Sequence, residues 1–135
     1  MTAEANVAFP LRFSGIKKTA RNKRAIALLN RMGLSDRIGH KPTELSGGQQ
    51  QRVAVSRALI NNPELILADE PTGNLDTTSG TIIMELLKEL REEGKTILVA
   101  THDPRMLQYA SHAIYLIDGK QVSNDIYRKT IQQQS

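Results

Sequence analysis

Two short apolar runs, separated by a stretch of helical periodicity, constrain the fold of this chain more than any other feature. Residues 65–68 and 96–100 are apolar and bounded by turn residues, a pattern typical of strands covered on both faces. Residues 77–93 repeat apolar side chains at helical spacing, and Gly94 follows as a helix-ending residue. A strand, a helix and a second strand in this order predict a parallel sheet with a helical crossover.

The sequence before this unit predicts two further helices. Residues 17–32 form a basic amphipathic pattern that ends at Gly33, a residue suited to a left-handed helix end. Residues 49–60 predict a second helix, which is entered from a loop containing two glycines. Residues 1–14 have little periodicity and contain a proline, so we expect a connecting segment there.

The sequence after the unit predicts a short helix and a hairpin. Residues 104–110 predict the helix, and Asp118-Gly119 predicts a tight turn between residues 113–117 and 120–122. Residues 128–135 are polar and Gln-rich, and we expect this tail to fray. The predicted fold class is therefore α/β, with a mostly parallel sheet, helical crossovers and a closing antiparallel hairpin.

Composition limits the class of protein. The 135 residues suit one domain or a large piece of one, and 18 Lys and Arg against 14 Asp and Glu favour anionic partners mildly. The absence of cysteine excludes a disulfide framework and suits a reducing compartment. The sequence has neither an apolar run of about 20 residues nor a signal-peptide pattern at its start. We therefore expect any membrane role to come through a partner.

Three side chains that suit phosphate chemistry follow the two predicted strands. Asp69 and Glu70 come directly after the first strand, and His102 follows the second. In an open parallel sheet, ligands collect beyond the carboxyl ends of the strands. Asp69 could hold Mg²⁺ through its water shell, and Glu70 could polarise a water for attack on a phosphate. The alternative stays open that the two acids end a strand in solvent and that His102 is an ordinary surface residue.

A second candidate site lies at the entrance of the predicted helix over residues 49–60. Ser46, Gly47 and Gly48 provide a hydroxyl, backbone N–H groups and the positive end of a helix dipole, which together favour an anion. The alternative is a Ser-capped helix in which the glycines serve only a turn. Neither interpretation is excluded by these residues alone.

Four motifs stand in a distinctive order along the chain. They are Leu45-Ser46-Gly47-Gly48-Gln49, then Leu65-Ile66-Leu67-Ala68-Asp69-Glu70-Pro71, then Gly73-Asn74-Leu75-Asp76, then His102. This order resembles the ABC ATPase family, where these positions are the signature motif, the Walker B strand, the D-loop and the switch His. Residues 70–76 are also similar to the bacterial branch that serves lipoprotein release, macrolide export and antimicrobial-peptide export. The resemblance implies a P-loop NTPase core of the RecA-like type with an α-helical signature subdomain.

The resemblance also implies roles for individual residues. Asp69 would coordinate Mg²⁺ through water, Glu70 would act as the general base, and His102 would contact the γ-phosphate of ATP. Asp76 would signal across a dimer interface. The signature residues, Leu45 to Gln49, would close over ATP bound to the opposite subunit. ATP and Mg²⁺ are therefore expected only in an intact dimer.

One motif of the family does not occur in this sequence. The phosphate-binding Walker A loop requires G-x-x-x-x-G-K-[ST], and no pair of glycines here has that spacing. The resemblance therefore implies that the chain begins inside the domain, without the Walker A and Q-loop part. We expect the chain alone to be inactive as an ATPase and marginally stable, since uncovered sheet faces invite association. The expected organisation is a helical signature subdomain with its connecting segment over 1–63, the C-terminal part of the core over 64–127, and a polar tail over 128–135.

The implied partners are a second nucleotide-binding subunit and a transmembrane permease subunit. They would place the chain in the cytoplasm, peripheral at the inner face of the cell membrane, and no nucleic-acid partner is expected. Two alternatives remain open. One is a non-transport ABC ATPase that acts on nucleic acid or the ribosome, contacting it through the basic residues 17–24. The other is a non-catalytic remnant that binds an intact homologue.

Overall fold

The computed structural model describes residues 1–73 and 75–133. Asn74, in the predicted D-loop, and the last two residues of the predicted tail lie outside the described residues. The chain divides into two compact units, one comprising Met1–Asp103 and the other beginning at Pro104. The expected division into 1–63, 64–127 and 128–135 remains a prediction.

Three helices pack together in the first unit. They are α1 (Ala3–Ala8), α2 (Lys18–Arg31) and α3 (Gly47–Leu59), and each of the three contacts the other two. Short 3-10 turns at Phe9–Phe13, Ser35–Arg37 and Pro42–Glu44 connect them. Their shared core consists of fully buried apolar side chains, namely Val7, Leu11, Leu29, Met32 and Leu34. The helices predicted over residues 17–32 and 49–60 are therefore confirmed, and Gly33 adopts the expected positive φ of 64°.

Helix α1 corrects the prediction of a connecting segment at the N-terminus. The Thr2 side chain accepts a hydrogen bond from the Ala5 amide at 3.2 Å and so caps the helix. The Ala3 amide donates to the His40 carbonyl at 2.8 Å, and Val7 is fully buried. Six residues are too few to show helical periodicity, and a helix this short persists only through tertiary packing. The packing partners lie far along the sequence, so the local pattern missed it.

A strand, a helix and a strand complete the first unit. They are β1 (Leu65–Asp69), α4 (Thr77–Glu92) and β2 (Thr96–Ala100), and the two strands pair in parallel with Leu67 opposite Leu98. The parallel pairing predicted from the sequence is confirmed. Helix α4 buries Ile83 and other apolar side chains along one face.

One face of this sheet is open, in agreement with the expectation of uncovered sheet faces, so the two apolar runs are not covered on both sides. Leu65 is 54% exposed, Leu67 is 70% exposed and Leu98 is 61% exposed. An apolar run shows only that a strand is able to be buried on both faces. What covers it depends on other elements, which the run itself does not specify. The described structure therefore carries an uncovered apolar sheet face, here called the leucine face and defined by Leu65, Leu67 and Leu98.

The second unit contains a hairpin and a final helix. The strands are β3 (Tyr115–Ile117) and β4 (Lys120–Val122), which pair antiparallel, and the helix is α5 (Asn124–Gln132). Both turn residues, Asp118 and Gly119, have positive φ, at 49° and 74°, as a two-residue hairpin turn of the predicted kind requires.

Two predictions for this unit change in detail. The short helix predicted over residues 104–110 is a 3-10 helix at Pro104–Tyr109. The polar tail expected to fray from residue 128 is helical through Gln132, because Ser123 caps α5 by accepting the Ile126 amide at 3.3 Å. The rings of Tyr115 and Tyr127 also pack together, with centroids 5.0 Å apart.

Within residues 1–73 and 75–133, none of the helices has the length and apolar character needed to cross a bilayer.

Candidate functional site

The first site begins where β1 ends. Glu70 follows the strand with a φ of 45°, a left-handed conformation that is uncommon for a residue with a long side chain. Two backbone hydrogen bonds hold it there. Its amide donates to the Ala100 carbonyl at 2.8 Å, and its carbonyl accepts the Gly73 amide at 3.0 Å. This turn directs the Glu70 side chain toward the residues that follow β2.

The Glu70 carboxylate receives three hydrogen bonds from the segment after β2. The Thr101 hydroxyl donates to Oε2 at 2.9 Å, and the His102 amide donates to Oε1 at 3.1 Å. The His102 ring nitrogen Nδ1 lies 2.7 Å from the same Oε1. Glu70 and His102, which the parallel strands were expected to bring together, are therefore in direct contact.

The two side chains shift each other's proton affinity. The hydrogen bond from His102 lowers the pKa of Glu70 below its ordinary value, and the Thr101 hydroxyl adds to this effect while partial desolvation opposes it. The same hydrogen bond to Glu70 raises the pKa of His102. The His102 side chain is 87% exposed and that of Glu70 39% exposed, so solvent screens the interaction. Glu70 is ionised at neutral pH, and it increases the fraction of His102 that carries a proton.

A further layer of hydrogen bonds fixes this segment. The buried Thr72 hydroxyl donates to Asp103 Oδ2 at 3.1 Å, and the Asp103 amide donates to the Thr101 hydroxyl oxygen at 3.0 Å. Sequence reasoning missed Thr72, Thr101 and Asp103. Although two of them flank His102, their role depends on partners in the turn that follows β1, which no local pattern specifies.

Asp69 lies apart from this cluster. Asp69 is exposed and is the last residue of β1. It lies on the side of the strand that carries Leu65 and Leu67. Within residues 1–73 and 75–133, no group of three or more His, Cys, Asp or Glu side chains is arranged to hold a metal ion. Mg²⁺ does not require such a group, because it commonly binds through one or two carboxylates and keeps waters and phosphate oxygens as its other ligands. Asp69 therefore fits Mg²⁺ as a single carboxylate donor.

The second site is the N-terminus of α3. The Ser46 hydroxyl oxygen accepts the Gln49 amide at 3.3 Å, and Gln49 Oε1 accepts the Ser46 amide at 2.9 Å. This reciprocal cap agrees with the interpretation of Ser46 as a helix-capping residue. The hydroxyl still has its hydrogen to donate, and the first amides of a helix have no acceptor within the helix. Leu45 is buried, so its side chain packs in the core and offers no surface to a ligand.

Gly48 brings the signature helix against the start of α4. A Cβ atom on Gly48 would stand 2.5 Å from Ser79 Oγ and 3.2 Å from Asp76 Oδ1. Asp76 caps α4 by accepting the Ser79 amide at 3.0 Å, and hydrogen bonds from Ser79 lower the pKa of Asp76. Gly47, in contrast, has no atom within 4 Å of its Cβ position. The two glycines therefore differ, and the contact with Ser79 was not visible in the sequence.

The two sites stay separate within the described part of the chain. No hydrogen bond or ion pair among those residues joins Ser46, Gly47 or Gly48 to Glu70 or His102. The contact through Gly48 reaches only the cap of α4. The arrangement thus has one polar cluster beyond the strands and a second at a helix start.

The order of these elements and motifs defines a class of protein. A sequence model of the ABC transporter family matches residues 1–73, more than half of the chain, and the chain therefore belongs to this family. Its similarity to known members is high. It is 52% identical over 130 residues to the macrolide export ATP-binding/permease protein MacB of Shewanella sp. (strain W3-18-1), covering 96% of this chain and 20% of MacB.

Two further relatives match a larger share of their own length. The ABC transporter ATP-binding protein MJ1508 of Methanocaldococcus jannaschii is 52% identical, with 89% of this chain and 54% of the relative covered. The solved dimeric structure of the ABC transporter cassette MJ0796 superposes with a TM-score of 0.79 at 48% identity, covering 88% of this chain and 53% of that chain. A second structure of MJ0796, in a post-hydrolysis state bound to ADP and Pi, matches equally well. The fold is thus that of an ABC ATPase, and the chain spans about half of these two relatives.

Proposed function

We propose that this chain supplies the hydrolytic residues and the signature motif of an ATP-binding subunit in an ABC export system. The observation that carries the proposal is the contact between Glu70 and His102 at 2.7 Å, beyond the carboxyl ends of two parallel strands. A carboxylate at this position can accept a proton from a water, and an imidazole can donate a hydrogen bond to a phosphate oxygen. The match to the ABC transporter family supports this assignment.

Each residue of the first site has a proposed task. Glu70 would orient a water and accept its proton as that water attacks the γ-phosphate of ATP. His102 would donate a hydrogen bond to the γ-phosphate, for which the raised pKa is favourable. Asp69 would hold Mg²⁺ through the metal's water shell, and the metal supplies charge neutralisation of the phosphates. Thr101 would keep the Glu70 carboxylate in position.

The signature residues would serve a second nucleotide-binding subunit. Ser46 would donate its free hydroxyl hydrogen, and Gly47 and Gly48 their amides, to ATP bound by that subunit. Gln49 would keep Ser46 in place through the reciprocal cap. Asp76 would lie at the interface between the subunits. The dimeric structure of MJ0796 supports such an assembly.

The membrane side of the proposal concerns a permease. MacB is described as an ATP-binding/permease protein for macrolide export, so ATP binding and permeation are joined in that relative. We propose that the chain acts with a transmembrane permease at the cytoplasmic face of the membrane. Because the sequence lacks a Walker A loop, we expect the chain alone to bind Mg-ATP weakly, and calorimetry would measure this.

The proposed function is tested in a chimera that joins the part of MJ0796 not matched here to this chain. The chimera should hydrolyse ATP. Glu70→Gln should keep ATP binding and slow hydrolysis by several orders of magnitude, because the base is lost and the phosphate contacts remain. Glu64→Gln, which removes an exposed carboxylate away from the site, is the matched control and should keep the rate. Hydrolysis at the unmodified rate by Glu70→Gln would contradict the proposal.

A further inference from the structure

Positive charge is concentrated in one part of the first unit. Seven of the 18 Lys and Arg residues lie between residues 5 and 35, and this stretch contains no Asp or Glu. Six of the seven surround the start of α2, beside two phenylalanines of the preceding 3-10 turn. We call this surface the basic aromatic patch, and its members are Phe9, Arg12, Phe13, Lys17, Lys18, Arg21, Lys23 and Arg24.

The cations of the patch lack acidic partners. Within residues 1–73 and 75–133, no carboxylate lies at ion-pair distance from Lys17, Lys18 or Arg21, nor from the other cations of the patch. Some basic side chains elsewhere are paired, for example Arg31 with Glu89 at 3.0 Å. The positive charge of the patch is therefore left for something outside the chain to neutralise.

The position of these cations on α2 is unfavourable for the helix itself. Lys17 occupies the cap position without any side-chain hydrogen bond, and the first turn contains no acid. The positive end of a helix dipole disfavours cations, so local stability does not explain the arrangement. In the described part of the chain, the longer helices α3, α4 and α5 each begin with a side-chain cap, which is Ser46, Asp76 and Ser123 respectively. An anionic partner would offset the unfavourable charge.

The phenylalanines give the patch an apolar component. Phe13 is 81% exposed, and its ring meets that of Phe9 edge to face at 5.7 Å. The Arg12 guanidinium lies over the Phe9 ring at 5.7 Å from the centroid. One face of Phe9 is therefore occupied, which makes the pair a poor platform for stacking nucleic-acid bases. An exposed ring beside several cations is instead suited to the boundary between lipid headgroups and acyl chains.

We propose that the basic aromatic patch contacts an anionic lipid surface. The cations face the phosphate headgroups, and the Phe13 ring enters the headgroup region. Headgroups are mobile and their charge is spread, so they neutralise many cations without fixed partner positions. The inference extends the membrane side of the proposed function and involves no nucleotide chemistry. Vesicle binding and ATP hydrolysis can therefore fail independently.

The test is co-sedimentation of the full chain with vesicles of phosphatidylcholine, with and without phosphatidylglycerol. The chain should bind only the anionic vesicles, and binding should weaken as salt is added. The triple variant Lys17→Glu, Lys18→Glu, Arg21→Glu should bind about tenfold more weakly or worse. Phe13→Ser should also weaken binding. The matched control, Lys120→Glu, Arg128→Glu, Lys129→Glu, changes the net charge equally and should retain binding.

Three results would overturn the proposal. The first is equal binding to vesicles with and without phosphatidylglycerol, and the second is an equal loss in the two triple variants. The third is tight, salt-dependent binding of duplex DNA or RNA that the variant at residues 17–21 abolishes, without vesicle binding, which would assign the patch to nucleic acid. If circular dichroism finds that this variant has lost helix, replacement of the same three residues by Ala provides the decisive measurement, because Ala favours helix.

Discussion

Gly48, in the first turn of α3, lies so close to Ser79 of α4 that a methyl group at position 48 would stand 2.5 Å from the Ser79 hydroxyl oxygen. This proximity joins the start of the signature helix to the Asp76 cap within one chain. It gives Gly48 a packing role in addition to any role in binding a phosphate.

Gly48→Ala should therefore lower the free energy of unfolding by about 1–3 kcal/mol, the usual cost of overpacking a well-packed position. Gly47→Ala is the matched control and should be neutral or slightly stabilising, since nothing lies near its Cβ position and Ala favours helix. Adding Ser79→Gly to Gly48→Ala removes the hydroxyl that the new methyl group meets, so this double variant should regain part of the lost stability. Urea denaturation of the original chain, the two glycine variants and the double variant measures these effects. Equal free energies of unfolding for Gly48→Ala and Gly47→Ala would refute the packing role.

The contact between Glu70 and His102 predicts a pH-dependent signal that needs no ATPase activity. Glu70→Gln should lower the pKa of His102 toward its ordinary value, because the hydrogen bond to the carboxylate is the main cause that raises it. NMR titration of the His102 ring follows this directly. Glu64→Gln removes a carboxylate elsewhere and should leave the His102 titration unchanged. If Glu64→Gln lowers the pKa of His102 by a similar amount, Glu70 is not the cause of the raised pKa.

The same contact predicts a pH window for stability. The pKa of Glu70 is lowered in the folded chain. The contribution of Glu70 to the free energy of unfolding is therefore present above pH 4.5, its ordinary pKa, and is lost as the pH falls through its pKa in the folded chain. The pKa of His102 is raised in the folded chain. The contribution of His102 to the free energy of unfolding is therefore present below pH 6.5, its ordinary pKa, and is lost as the pH rises through its pKa in the folded chain. The stability difference between the original chain and Glu70→Gln should therefore be largest between these two values. Urea midpoints across the pH range measure it, and a pH-independent difference would contradict the assignment.

Arg31 links the end of α2 to the end of α4 through Glu89 at 3.0 Å and Glu93 at 3.1 Å. Arg31→Met should lower the free energy of unfolding by less than about 1 kcal/mol, because these pairs are exposed and screened. The loss should shrink as salt is added. Lys23→Met, on the same helix but without an ion pair, should cost nothing. If the stability lost in Arg31→Met does not depend on salt, the loss is due to packing and not to the ion pairs.

The leucine face predicts self-association. Leu67 and Leu98 are directly opposite each other on paired strands, and both are exposed, so two chains can bury apolar area by bringing these faces together. Leu67→Lys with Leu98→Lys should shift the chain toward monomer in sedimentation velocity experiments. Gln121→Lys, an exposed strand position in the second unit, should have no effect. Association that persists unchanged in the double variant would place the interface elsewhere.

The sequence was sufficient to predict elements whose determinants are local. Helix α4 has apolar periodicity, an Asp cap and a terminal Gly, and its predicted bounds match the observed Thr77–Glu92 closely. The hairpin followed from Asp118 and Gly119, because a two-residue turn requires residues that tolerate positive φ. The placement of Glu70 beside His102 followed from the geometry of parallel strands, which meet at one edge.

The features that sequence reasoning missed depend on contacts between distant residues. Helix α1 is short and depends on carbonyls of the 38–40 loop, and the Gly48–Ser79 contact joins two helices separated by a strand. Thr101 matters through its hydrogen bond to Glu70, which follows the neighbouring strand. Single-sequence patterns describe what a segment prefers, whereas these contacts depend on how segments meet.

The turn at Asp118 and Gly119 also has a consequence for the order of folding. It lets β3 and β4 pair between residues only a few positions apart, whereas Leu67 and Leu98 are about 30 positions apart and meet only after the chain between them is closed into a loop. Hairpins of this kind form in about 1–10 μs. The parallel pair is joined through α4, so its strands align only when this longer connection is closed. The second unit should therefore acquire native hydrogen bonds early in refolding, and the pairing that brings Glu70 to His102 should be among the last steps.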